Sequence, residues 1–330
     1  MKAISVRNST LHDIDLPIPQ ALGRDLVVQV EAISVNPVDH KVRNAPAADD
    51  APRVLGWDVA GTVTAAGPDA SLFKVGDKVY YAGSVVRPGA NSQFHAVDER
   101  IAGHRPASLD AVQAAALPLT SITAWEALFD RLGVDKDGSD AGKSLLIIGG
   151  AGGVGSIAIQ LAKKLARLTV VATASRTASA AWCRALGADH IVDHGGDIPA
   201  QLAALGLPAV DFILCLNEID KHFPAMAEAI APQGKICSIV RSEAPLALDG
   251  LFSKSATLVW EMMFTRSMFG TPDMIEQHRL LDEVARLIDA GVLRTTLGEV
   301  FGKINAANLT RAHAALEGRR TIGKIVLSGF

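Results

Sequence analysis

The chain has 330 residues, 49% of them apolar and 20% charged, a balance that excludes a disordered chain and allows two globular domains of ordinary size. A net charge of −3 supplies no basic face, so neither nucleic acid nor a membrane is expected as a partner. The three cysteines, Cys183, Cys215 and Cys237, cannot pair completely and have no close metal-ligand spacing, which fits a reducing, cytoplasmic setting.

Residues 1–7 read as a short strand and lack the long apolar core of a secretory signal. Residues 26–32 begin apolar and then alternate, residues 61–67 form a strand bounded by glycines, and residues 75–81 are a Gly-Asp turn leading into a strand. Short strands punctuated by Gly and Pro predict a β-rich barrel or sandwich-like domain. Near Leu117-Pro118 the pattern changes. Apolar strands are expected at 144–148, 168–173, 210–216 and 235–240, with helices at 154–165, 178–186 and 221–230. Such alternation predicts a parallel sheet covered on both faces by right-handed crossovers. Residues 274–290 carry Leu280, Leu281, Val284, Leu287 and Ile288 on one helical face, and residues 323–327 read as a last strand. The fold class is therefore α/β, a β-rich domain plus a doubly wound one. Residues 144–162 carry no charge and are nearly long enough to span a bilayer, but their central glycines fit a tight turn better than a span.

Gly150-Ala151-Gly152-Gly153-Val154-Gly155 satisfies G-x-G-x-x-G. Alone the pattern is weak, but here it follows an apolar strand and opens a helix. The first glycine permits a tight turn, the second lets the backbone approach a pyrophosphate, and the third lets helix and strand pack closely. The phosphates then meet the free N–H groups of a helix N-terminus. An NAD site usually carries a carboxylate at the end of the second strand, to accept from the ribose 2′-OH. Here that strand runs into Ala174-Ser175-Arg176, and a hydroxyl beside a guanidinium suits a 2′-phosphate. NADPH is expected over NADH. The plainer alternative for Arg176 is a helix start facing solvent. Asn217 and Val240 follow the next apolar strands at their C-terminal ends, where doubly wound sheets border their ligand.

Several motifs occur together: Ser34-Val35-Asn36-Pro37-Val38-Asp39, Gly56-Trp57-Asp58-Val59-Ala60-Gly61, Phe73-Lys74-Val75-Gly76-Asp77-Lys78-Val79, Leu117-Pro118-Leu119-Thr120-Ser121-Ile122-Thr123-Ala124-Trp125, the glycine loop, and Trp260-Glu261-Met262-Met263-Phe264-Thr265-Arg266. On these the chain resembles the medium-chain dehydrogenase/reductase superfamily over essentially its whole length. Within it the resemblance is to the quinone oxidoreductase-like branch, which includes zinc-type alcohol dehydrogenase-like proteins. It implies a GroES-like catalytic domain interrupted by a Rossmann domain: residues 1–122, 123–271 and 272–330.

Zinc-using members of that family place a cysteine in the segment holding Asn36 and a histidine where Trp57 stands. Their structural zinc needs four cysteines, mostly in the first third, and none precedes Cys183 here. Zinc takes S, N or O ligands held tetrahedrally, so both zinc sites are rejected; an unrelated cluster of His40, Asp39 and Asp58 is the remaining route to a metal. Without a Lewis acid, alcohol oxidation is unattractive, and hydride transfer to a quinone or an α,β-unsaturated carbonyl compound is expected instead. The resemblance implies that Asn36 lies beside nicotinamide and substrate, able to donate to an oxyanion or simply to brace the Pro37 turn. Thr123 is expected near the nicotinamide or as a helix cap. Asp39 and Asp58 are proton-transfer groups or structural hydrogen-bonders. Trp57 is a pocket wall or a packing residue, and Tyr80 and Tyr81 are weaker proton-donor candidates. Met262, Met263 and Phe264 are placed on a sixth, edge strand, through which the resemblance implies a homodimer, or else in the core. A non-catalytic NADPH-binding sensor and a zinc alcohol dehydrogenase are the rival readings.

Overall fold

The computed structural model describes residues 1–45 and 52–330. The chain divides into two units, Met1–Ile122 with Phe264–Phe330, and Thr123–Met263. The second junction falls at 263/264 where 271/272 was expected. Residues 264–271 go with the first unit because Phe264 packs edge-on against Trp57, with ring centroids 6.3 Å apart, and Arg266 pairs with Asp273 at 3.0 Å.

In the first unit the strand Asp25–Ser34 is the organising element. It pairs antiparallel with Val59–Ala66, Phe94–Asp98 and Lys324–Ser328. The last of these brings the end of the chain onto the N-terminal half, because Ile325, Val326 and Leu327 are all buried. Its register sets Val326 opposite Ser34. Two residues further along each antiparallel strand, Lys324 and Asn36 are therefore brought together. The motif at residues 34–39 is not a plain turn, since Pro37–Asn44 is a helix with Asn36 as its N-cap and Pro37 in its first turn. Proline fits there because its missing N–H has no helical partner to lose.

The second unit is a six-stranded parallel sheet in the order His190–Val192, Thr169–Thr173, Ser144–Ile148, Val210–Cys215, Ile230–Ser238, Thr257–Trp260. The expected alternation is present, with helices at Gly153–Lys164, Thr177–Leu186 and Ile219–Ala229. The strand expected at 235–240 is instead Ile230–Ser238. The strand His190–Val192 is too short to leave a periodic signal. The edge strand is Thr257–Trp260, so Met262, Met263 and Phe264 lie beyond it rather than on it. The Glu261 N–H still bonds Ser238 O at 2.9 Å; past it the chain leaves the sheet, with Met262 exposed and Met263 and Phe264 buried. Among the described residues no helix is long and apolar enough to cross a membrane.

Candidate active site

The glycine loop leaves the wholly buried strand Ser144–Ile148. The left-handed residue that turns the chain is Gly149, at φ +90°, one position before the motif. Gly150 is required for space, since a Cβ there would meet Ala172 Cβ at 2.7 Å and Cys183 Sγ at 3.2 Å. Gly155 is required for close packing, because its Cβ would lie 2.5 Å from Gly150 O. Gly152 is different. A Cβ there meets nothing nearer than Gly149 O at 3.6 Å, so no packing in the protein demands glycine.

Gly152 is also the N-cap of Gly153–Lys164, and no side chain caps that helix. The first N–H groups of a helix have no partner within it. Gly153 and Val154 are half-buried there and Ala151 is buried; a helix start of this kind is suited to an anion. Ser156 Oγ donates to Gly152 O at 2.7 Å and accepts from Trp182 Nε1 at 2.8 Å, which braces the loop.

The other cofactor candidates lie at C-terminal strand ends of the same sheet. Ser175 is exposed and Arg176 half-buried just past Thr169–Thr173. Arg176 occupies the N-cap of Thr177–Leu186, but a guanidinium cannot accept a hydrogen bond. The capping contacts come from Ser179, whose Oγ donates to Arg176 O at 2.8 Å and accepts from its N–H at 3.3 Å. Asn217 follows Val210–Cys215, with its side-chain amide 3.6 Å from where a Gly149 Cβ would stand. Val240 is held just past Ile230–Ser238, its C=O accepting from Ser238 Oγ at 2.8 Å.

The first unit holds a buried polar cluster around Asn36. The Asn36 backbone N–H donates to Asp39 Oδ2 at 2.6 Å. Its Nδ2 donates to Asp58 Oδ2 at 2.9 Å and, at longer range, to Ser34 O at 3.4 Å. Lys324 Nζ donates to Val35 O at 3.0 Å, to Asp58 Oδ2 at 2.9 Å and to Asn36 Oδ1. The Leu119 N–H completes the set, donating to Asp58 Oδ1 at 2.9 Å. Burial pushes the Asp58 carboxyl up, while the Lys324 ammonium, the Leu119 N–H and the Asn36 amide pull it back. Burial raises Asp39 to about 7, against the pull of the Asn36 N–H. Asp39 Oδ1 has no hydrogen-bond partner.

The remaining candidates are placed as follows. Trp57 is buried and donates Nε1–H to Ser84 O at 3.0 Å. Thr123 is buried in the last turn of Pro118–Trp125, away from any N-cap position. Tyr80 OH donates to Leu281 O at 2.6 Å, and Tyr81 OH lies 3.0 Å from His95 Nδ1. His95 Nε2 lies 2.9 Å from Pro88 O, a bond only an N–H can make, so Nδ1 accepts and Tyr81 donates. Both tyrosine hydroxyls are committed within the fold. His40 lies 3.9 Å from Glu317, and Asp58 is paired with Lys324. Among the described residues no group of three or more His, Cys, Asp or Glu gathers as metal ligands would. Lys324 was missed by sequence reading, since it lies 266 residues from Asp58 and carries no local motif.

A model of the alcohol dehydrogenase GroES-like domain matches residues 23–108, and one of the zinc-binding dehydrogenases matches residues 186–327. The chain is 44% identical over 94% of its length to a zinc-type alcohol dehydrogenase-like protein of Staphylococcus aureus, covering 92% of that protein. It is similar to the crystal structure of a putative zinc-dependent alcohol dehydrogenase from Rhizobium etli, with TM-score 0.96 and 51% identity, covering 100% of this chain and 98% of the other. It is also similar to the quinone oxidoreductase of Coxiella burnetii, with TM-score 0.83 and 27% identity, covering 100% and 99%. The fold, the glycine loop and these likenesses agree: the chain belongs to the medium-chain dehydrogenase/reductase superfamily and is an oxidoreductase of that type.

Proposed function

We propose that this oxidoreductase reduces quinones or α,β-unsaturated carbonyl compounds with NADPH and without zinc. The observation that carries the zinc-free reading is the Lys324 ammonium, bonded to Val35 O, Asn36 Oδ1 and Asp58 Oδ2. Asp58, beside Trp57, is thus already paired with an internal cation, and Asn36 and Trp57 stand where the resemblance puts zinc ligands. The likeness to a quinone oxidoreductase supports the same reading.

In this proposal the amides of residues 150–155 hold the pyrophosphate, Ser175 and Arg176 hold the 2′-phosphate, and Asn217 and Val240 border the cofactor. NADPH, when bound, supplies a hydride with its electron pair. The protein's share is orientation and charge balance. Asn36, Asp39, Trp57 and Thr123 are proposed as the residues that border the reaction. Asn36 has one stretched bond, to Ser34 O at 3.4 Å, and that N–H is the one it can redirect to a developing oxyanion. Asp39, held near neutrality by burial, is the group of this cluster able to give up a proton near pH 7. The enzyme is further proposed to pair with a second copy through the edge strand Thr257–Trp260, where Trp260 and Met262 are 50% and 48% exposed.

Arg176→Ala tests the cofactor assignment. Loss of a charge-assisted contact to a phosphate costs about 1.5–3 kcal/mol, so the NADPH Kd should rise by roughly 10- to 100-fold while that of NADH barely moves. Equal losses for both cofactors in a binding titration contradict the 2′-phosphate assignment.

A further inference from the structure

One peptide of the glycine loop is held by two residues outside the motif. Trp182 lies on the helix Thr177–Leu186, whose N-cap is Arg176, and its Nε1–H donates to Ser156 Oγ at 2.8 Å. An indole N–H can only donate. Ser156 Oγ therefore accepts there and directs its own proton to Gly152 O, 2.7 Å away. The Ser156 backbone N–H donates to the same oxygen at 2.8 Å. A helical serine often bonds back to the carbonyl four residues before it. A second donor, brought from 26 residues away to orient the hydroxyl, is not part of that local pattern. Ser156 is wholly buried and Trp182 half-buried.

The peptide held in this way is the one that most needs it. It joins two glycines, Gly152 and Gly153, and glycine has the widest choice of backbone conformation. The Gly152 C=O takes the first bond of the helix Gly153–Lys164, while the Gly153 N–H opens that helix and has no partner within it. A peptide group is planar, so fixing the C=O along the helix turns the N–H outward from its N-terminus. Hydrogen bonds in a chain also polarise one another. Two donors on the Gly152 oxygen therefore strengthen the Gly153 N–H as a donor.

We infer that Trp182 and Ser156 are positioning residues for the cofactor's pyrophosphate: the relay from indole to hydroxyl to Gly152 C=O keeps the Gly153 N–H turned toward a phosphate oxygen. The inference rests on the cofactor site proposed above and adds to it two residues that act through the Gly152–Gly153 peptide. NADPH and NADH share the pyrophosphate, so the relay serves both alike. Arg176, by contrast, is assigned to the 2′-phosphate that only NADPH carries. Because Trp182 sits on the helix that Arg176 caps, the relay also ties the two anion-binding points of the dinucleotide to each other.

The test is equilibrium binding of NADPH and of NADH to the wild type, Ser156→Ala, Trp182→Phe and the double variant, with Tm measured on each. S156A should raise both Kd values by the same factor, about three- to tenfold, and W182F by about two- to fivefold. Tm should fall by less than about 3 °C. The double variant should bind within about twofold of S156A, because the indole acts only through the hydroxyl. Unchanged binding in S156A, or a loss confined to NADPH, overturns the relay. Losses that multiply in the double variant mark a merely structural tie and overturn it too. If S156A does not fold, W182F decides alone, by an equal loss for both cofactors or by none. A wild type that binds neither dinucleotide overturns the cofactor site and the relay with it, whereas a wild type that binds, with S156A unchanged, overturns the relay alone.

Discussion

Replacing Lys324 by Met is expected to destabilise the protein by about 3–5 kcal/mol, because it leaves a buried carboxylate without its cation. The ammonium is 4% exposed and spends its donors on Val35 O, Asn36 Oδ1 and Asp58 Oδ2. Without it, Asp58 Oδ2 keeps the Asn36 amide and Val35 O loses the ammonium that donates to it. For a unit of this size the loss corresponds to a fall in Tm of roughly 10 °C. Adding Asp58→Asn should recover part of it by removing the stranded charge. Asp58→Asn alone should cost less than K324M, since Lys324 retains two acceptors. A drop below about 1 kcal/mol for K324M would mean that the ion pair is not what holds the residue 34–39 segment to the C-terminal strand. Thermal melts of the three variants, with near-UV dichroism to check folding, decide between these outcomes.

The second large effect separates two glycines of one motif. Gly152→Ala should fold normally, because Gly152 has φ −72° and a Cβ there finds nothing nearer than 3.6 Å. That Cβ would instead stand where the pyrophosphate must approach, so the NADPH Kd is expected to rise by about 10- to 100-fold with Tm unchanged. Gly155→Ala should do the reverse first. Its Cβ would lie 2.5 and 2.6 Å from the carbonyl oxygens of Gly150 and Gly149, and backbone must shift at a cost of about 1–3 kcal/mol. Tm should fall, with cofactor affinity following. If G152A binds NADPH like the wild type, the loop is a structural turn and not a phosphate seat.

Much of this was legible in the sequence because it is local. The glycine loop, the residues after each parallel strand and the alternation of strand and helix are all set within a few positions, and the structure places them accordingly. The exceptions have physical reasons. The left-handed turn sits on Gly149, one position before the motif, while Gly150 is needed for space beside Ala172 and Cys183. Lys324 was invisible because only the antiparallel register of Val326 with Ser34 brings it to Asn36. The motif at residues 260–266 looked like strand, but it ends one, and its Glu261 finds partners 130 residues upstream at Arg131. Periodicity reports which face is buried. It does not report which distant strand supplies a charge, nor that a helix widens into a π turn at Glu126–Arg131.

Metal-free reduction by NADPH is tested most directly by one measurement. Protein treated with a strong chelator, with its metal content determined on the same sample, is assayed for NADPH oxidation against a panel of quinones and enones. Turnover with at least one acceptor, undiminished by chelation, is expected in protein holding no stoichiometric zinc. Activity that disappears on chelation and returns with one equivalent of zinc per chain would contradict it, as would tight NADPH binding with no turnover of any acceptor.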